Sequence, residues 1–162
     1  MALKRSDVDK LPEPARREVL RQMAGKKRTG PAGGLGTLTI TLRLPPKELA
    51  PNGRVCWQAK ARAKREYRAH AKVRAFLVIN DPPLWRRCQV KCWFYFAQAR
   101  RRDPDNLLAW MKAGFDGLTD AGVWADDCGL THLPPAEDKD RDNPRVEIVV
   151  TKEAPDGEAE TA

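Results

Sequence analysis

Thr37-Leu38-Thr39-Ile40-Thr41-Leu42-Arg43-Leu44 alternates without interruption, with Leu38, Ile40, Leu42 and Leu44 on one side and Thr39, Thr41 and Arg43 on the other. A period of two belongs to a strand with one face buried and one in water. Pro45-Pro46 ends it, because proline has no N–H for the ladder. Downstream, a loop with Pro51-Asn52-Gly53 leads into a helical stretch from about Gln58 to Ile79. A second strand runs from Gln89 to Ala97, with Val90, Cys92, Phe94 and Phe96 on one side. A second helix starts near Asn106 and ends before Gly122, followed by an extended piece from Asp127 to Leu133 and a polar, proline-containing loop. Arg145 to Thr151 alternates again, with Val146, Ile148 and Val150 together. There are no internal repeats. The order β-α-β-α-β-β predicts an α+β fold, a mixed sheet with two main helices packed on it.

Upstream of this unit, residues 1–36 read as a basic N-terminal extension. Pro14 to Met23 has the spacing of a short helix, and Gly25-Lys26-Lys27-Arg28-Thr29-Gly30 that of a flexible linker. Residues 152–162 read as a disordered acidic tail, which leaves 37–151 as the folded domain.

The chain of 162 residues is the size of one domain, and 41% hydrophobic with 32% charged residues is a globular balance. No apolar run reaches the ~20 residues of a membrane span, and Met1 to Asp7 lacks the apolar core of a secretory signal. Both point to the cytoplasm. Cys56, Cys88, Cys92 and Cys128 are too few and too irregular for a disulfide framework or a four-ligand zinc site. Buried free thiols are the expectation. The net charge of +8 implies a polyanionic partner. Charge alone leaves DNA, RNA and a membrane surface open.

The carboxylates narrow this. In Arg100-Arg101-Arg102-Asp103-Pro104-Asp105-Asn106, the proline pushes Asp103 to an extended backbone, so Asp103 and Asp105 are expected on one side of the chain. Asp105 is expected to cap the helix from Asn106. On that helix Leu107, Met111, Phe115 and Leu118 form a core face, and Asp105, Lys112 and Asp116 share another at spacings of seven and four. Asp126 and Asp127 follow; an extended backbone there would send them to opposite faces, and spacing does not say which joins the others. Two carboxylates ~5 Å apart repel by about 3 kcal/mol at an effective dielectric of ~20. A divalent cation offsets that cost, and Mg²⁺ favours carboxylate oxygens and water. Beside three arginines, such a site suits phosphodiester cleavage; solvated loop charges and helix caps are the plain alternative.

The run Arg100 to Leu107, then Lys112-Ala113-Gly114-Phe115-Asp116-Gly117-Leu118, then Ala121-Gly122-Val123-Trp124-Ala125-Asp126-Asp127, closely resembles the RusA family of Holliday-junction endodeoxyribonucleases, common in phages and prophages. Weaker similarity extends over roughly 37–151. The resemblance implies that Asp103, Asp105 and Asp127 are catalytic, metal-binding aspartates with Asp126 an accessory, and that Lys112 is a catalytic lysine. It also implies Mg²⁺ as cofactor (Mn²⁺ substituting), a homodimer, and paired nicks across a four-way junction in DNA recombination and repair. Two features depart from the family pattern: Lys112 stands three residues further from Asp105, and the loop between Pro46 and Trp57 is longer.

Arg100, Arg101 and Arg102 are the first expected phosphate contacts, followed by Arg54, Lys60, Lys64 and Arg68 along the first helix, where a solvated helix surface is the rival for any one residue. Of Trp57, Trp85, Trp93, Trp110 and Trp124, most are expected in the core, with an exposed one able to wedge at a junction. His70 and His132 have no partner spacing and read as structural. Two other functions fit the same residues: a non-catalytic nucleic-acid-binding protein on this fold, and a Mg²⁺ nuclease for flaps or other branched DNA.

Overall fold

Strand β2 (Cys88–Phe96) buries every second side chain, Cys88, Val90, Cys92, Phe94 and Phe96. A computed structural model describes residues 36–153. The expected extension before Gly36, with its helix over Pro14 to Met23, and the tail after Glu153 lie outside them.

Around β2 the sheet is mixed, as expected. Strand β5 (Arg145–Lys152) lies antiparallel on one side of it, and β1 (Thr37–Leu42) pairs antiparallel with β5. On the other side β3 (Leu130–His132) and β4 (Ala136–Lys139) pair in turn with the first and last parts of β2, both parallel. The loop expected after Leu133 therefore contains a strand. Strand β1 stops at Leu42, two residues short of the alternation. The Arg43 N–H donates to Nε2 of His70 (3.3 Å) and its carbonyl accepts from the Tyr67 hydroxyl (2.9 Å), so both groups leave the ladder for the first helix. Burial, aided by Arg43 and Arg74, lowers the His70 pKa to about 4, which keeps the ring a neutral acceptor.

Among the described residues three α-helices occur where two main ones were expected. Helix α1 (Trp57–Val78) matches its reading within a residue at each end, but the second stretch divides into α2 (Pro104–Trp110) and α3 (Lys112–Asp120) at Met111. Met111 is fully buried, with ψ −7°, and its N–H is shared between the carbonyls of Leu107 and Leu108. The two halves answer to different anchors. The Trp110 indole N–H donates to the Pro46 carbonyl (2.9 Å). Helix α3 presses its glycines on α1: a Cβ on Gly114 would stand 3.0 Å from the Tyr67 ring, and one on Gly117 would collide with the Arg68 carbonyl and the Ala71 methyl.

Leu107, Met111, Phe115 and Leu118 are buried as the periodicity predicts. Trp124 is buried too, and Trp85 and Trp110 pack against the core, whereas Trp57 is 75% exposed. The thiols divide: Cys88 and Cys92 are buried, and burial pushes them up to about 11 and about 12, with Glu153 adding to the shift at Cys88; Cys56 and Cys128 are exposed, contrary to expectation. Among the described residues no helix is long and apolar enough to cross a membrane.

The Gly117 contact gives a direct test of the α1–α3 packing. Gly117→Ala should destabilise the fold by about 1–3 kcal/mol, the usual cost of overpacking; an unchanged urea midpoint would mean that the helices are not this close.

Candidate active site

The chain leaves β2 and reaches α2 through Ala97 to Asp103, a turn held by Arg102. The Arg102 guanidinium lies 3.5 Å from the centre of the Phe96 ring and donates to Glu137 on β4 (3.0 Å) and to the Arg100 carbonyl (3.0 Å). Arg100 and Arg101 are exposed, Arg100 donating to the side chain of Gln98 (3.1 Å). These residues border an open depression of about 530 Å³ that Glu137, Asp138 and Lys139 complete. Arg102 fixes the entry to the site, while Arg100 and Arg101 face solvent.

Asp103, not Asp105, caps α2. Its backbone is extended (φ −80°, ψ 124°), Pro104 takes the first helical position, and the Asp103 carboxylate accepts the Asp105 N–H (3.0 Å). The physical reason was available: the conformation that proline imposes on its predecessor is the one an N-cap adopts, and proline suits the next position because its missing N–H would be unpaired anyway. Asp105 is thus helical, not extended. Asp103 also lines a shallow cleft of about 270 Å³ with Ala50, Pro51, Asn52, Arg102, Asn106, Leu107 and Trp110. The long loop after Pro46 forms the opposite wall.

Lys112 opens α3 and is exposed. A spacing of seven would set it beside Asp105 on one straight helix, but the helix breaks at Met111 between them. Asp116, expected on the same face, stands 3.7 Å from Lys64 of α1. One turn on, Arg68 grips Asp120 through two hydrogen bonds of 2.6 and 2.8 Å, and this partner holds the Asp120 carboxyl below its ordinary range. Arg54 and Lys60 are exposed before and within the first turn of α1.

The second acidic pair is differentiated by its turn. Asp126 alone is extended (φ −156°, ψ 151°); its carboxylate caps a single 3-10 turn, Asp127–Gly129, through the Cys128 N–H (3.4 Å). Asp127 stands 2.9 Å from the Thr119 hydroxyl, which lies 3.1 Å from the Phe115 carbonyl and accepts the Trp124 indole N–H (2.7 Å). A hydroxyl has one proton, so it donates to one of those two oxygens at a time. His132, read as structural, packs its ring 4.8 Å from that of Phe115. Burial lowers its pKa, and the charge of Asp127 opposes that shift.

The structure therefore unites Asp103 with Asp105 at the start of α2, and Asp127 with Thr119 at the end of α3. Among the described residues no three His, Cys, Asp or Glu side chains are grouped as a metal set. The Asp103–Asp105 pair has the right chemistry for a hard cation, which often takes only one or two carboxylates beside waters and phosphate oxygens.

No family model matches the sequence. The chain is 34% identical over 116 residues to an uncharacterized protein of Xylella fastidiosa, covering 70% of this chain and 75% of that one. It is 31% identical over 123 residues to the crossover junction endodeoxyribonuclease RusA of Escherichia coli K12, covering 73% of this chain and 97% of that one.

The cap and any chemical role of Asp103 can be separated. Asp103→Asn keeps an N-cap acceptor and should leave stability nearly unchanged, whereas Asp103→Ala should cost about 1 kcal/mol. Equal urea midpoints for the two variants would remove the cap from the account of α2.

Proposed function

This chain belongs to the RusA family, and from that membership we propose that it is a Mg²⁺-dependent endodeoxyribonuclease that resolves four-way DNA junctions by paired nicks as a homodimer. The observation that carries the reading is Asp103, which caps α2 through the Asp105 N–H and lines a cleft that shares Arg102 with the depression bordered by Arg100 and Arg101. Asp103 and Asp105 would hold the ion, which when bound supplies charge neutralisation at the phosphate and a more acidic water. Arg100 and Arg101 bind the backbone on either side of the scissile phosphate and orient it. Lys112 adds a mobile cation for the charge that grows on the phosphate oxygens.

Lys64 and Arg68 are already paired, but exposed ion pairs contribute about 0–1 kcal/mol, so a DNA phosphate can take either cation without unfolding α1. Asp127 is the third carboxylate of this reading. Because the described residues of one chain hold no grouped set of three, the second protomer is its source in this reading, and a two-fold dimer would place two equivalent sites on a two-fold substrate.

The test uses a synthetic four-way junction and a matched linear duplex, with Mg²⁺ or a chelator. Symmetric nicks should appear on the junction alone and vanish with chelator. Asp103→Asn, Asp105→Asn and Asp127→Asn should each lose at least about 100-fold in cutting while binding the junction as tightly as before, or tighter, because a charge that repels phosphate is gone. Mixing the Asp127→Asn protein with an Asp103→Asn/Asp105→Asn protein should restore single nicks if the carboxylates come from two protomers. Tight junction binding with no cutting in any divalent metal would favour a non-catalytic binding protein, and equal cutting of flaps a broader branched-DNA nuclease.

A further inference from the structure

Helix α1 extends past the core it serves. Its buried residues begin at Ala63, and from Trp57 to Arg62 every side chain except Ala59 is exposed. Six residues at ~1.5 Å each make a projection of roughly 9 Å. From Arg54 to Arg65 the chain carries Arg54, Lys60, Arg62, Lys64 and Arg65 and no carboxylate. At its tip stands Trp57, 75% exposed, the most exposed large hydrophobic side chain among the described residues.

An indole left in water is a poor use of the side chain with the most apolar surface to bury, and the fold does not require it there. The environment excludes the ordinary alternative of a protein-docking patch. Val55 is the one other large exposed apolar side chain in this segment, at 36%, and the remaining exposed residues are Arg54, Lys60 and Arg62 with small or polar ones such as Cys56, Gln58 and Ala61. That is too small and too charged for an apolar contact surface. An isolated aromatic face among Lys and Arg has the composition of a single-stranded nucleic-acid contact, where the ring stacks on a base and the cations follow the backbone.

Position adds a second argument. Asn52 lines the cleft that holds Asp103, and Trp57 follows five residues later, at most ~18 Å away along the chain. A base on Trp57 would lie within a few nucleotides of a phosphate at the Asp103–Asp105 pair.

We propose that Trp57 is a base-stacking residue, on which an unpaired base at the branch of the DNA substrate lies while Arg54 and Lys60 hold the adjoining phosphates. The inference rests on the DNA-directed reading above, but it concerns recognition and does not need cutting. It makes Trp57 a determinant of preference for branched over fully paired DNA, because a base inside an intact duplex offers no free face.

The test measures binding of the full chain in chelator, so that no cleavage intervenes. The probes are a four-way junction with 2-aminopurine at the branch, a single-stranded oligonucleotide, and a linear duplex. Trp57→Ala should weaken binding to the junction and the single strand by about ten-fold or more, the scale of one lost stacking contact, and leave the duplex within about two-fold. Stacking on the indole should quench the 2-aminopurine when the native protein binds; this quenching should be lost in Trp57→Ala, and Trp57→Phe should keep most of both signals. Unchanged junction binding and fluorescence in Trp57→Ala would overturn the proposal, as would an equal loss on duplex. A changed sedimentation coefficient would also overturn it, since Trp57 would then be a subunit contact. If the Trp57-dependent preference is present while Mg²⁺ elicits no junction cutting, the stacking site stands and the resolvase reading falls.

Discussion

Burial of one face of β2 is the constraint from which the other elements take their positions. Five alternate side chains, from Cys88 to Phe96, are inaccessible or nearly so, and each large one contributes about 1.5–3 kcal/mol relative to exposure. A slip of one residue would turn all of them outward and bring Gln89, Lys91, Trp93 and Tyr95 into the core, so the register is strongly held. With β2 fixed, β5 takes one edge, β3 and β4 the other, and the strand's end points the chain at Arg100 to Asp103.

The helices convert this frame into a site by close approach. Small residues on α1 and α3, Ala71 against Gly117 above all, let the two backbones touch, and Tyr67 spans the gap to the Arg43 carbonyl. Helix α2 is held differently, by Trp110 on the Pro46 carbonyl. That division is why Met111 breaks the stretch into two and why Asp105 and Lys112 do not share a helix. It is also what brings the loop at Pro51 and Asn52 against Asp103.

The basic residues divide by what they touch. Arg102 is stacked and hydrogen-bonded within the fold, Arg68 is gripped by Asp120, and Lys64 stands near Asp116. Arg100, Arg101, Arg54 and Lys60 face water. Because exposed pairs contribute little, the first group is not lost to an anionic ligand, but the second group needs no rearrangement to meet one. The cations of one long helix thus serve the fold near its middle and face water near its tip.

The strands and the core face of the helices were legible from order and spacing, because burial selects apolar residues at periods of two and near four regardless of what covers them. Leu107, Met111, Phe115 and Leu118 needed no partner to be identified. The pattern around Asp103 and Asp127 was likewise enough to indicate the family. What the sequence could not determine was set by contacts between distant segments. These include the break at Met111, the short strand β4, the pairing of Arg68 with Asp120, the contact of His132 with Phe115, and the exposure of Trp57. Periodicity records which side of an element is buried but not the neighbour it meets, and a carboxylate or an indole takes its role from that neighbour.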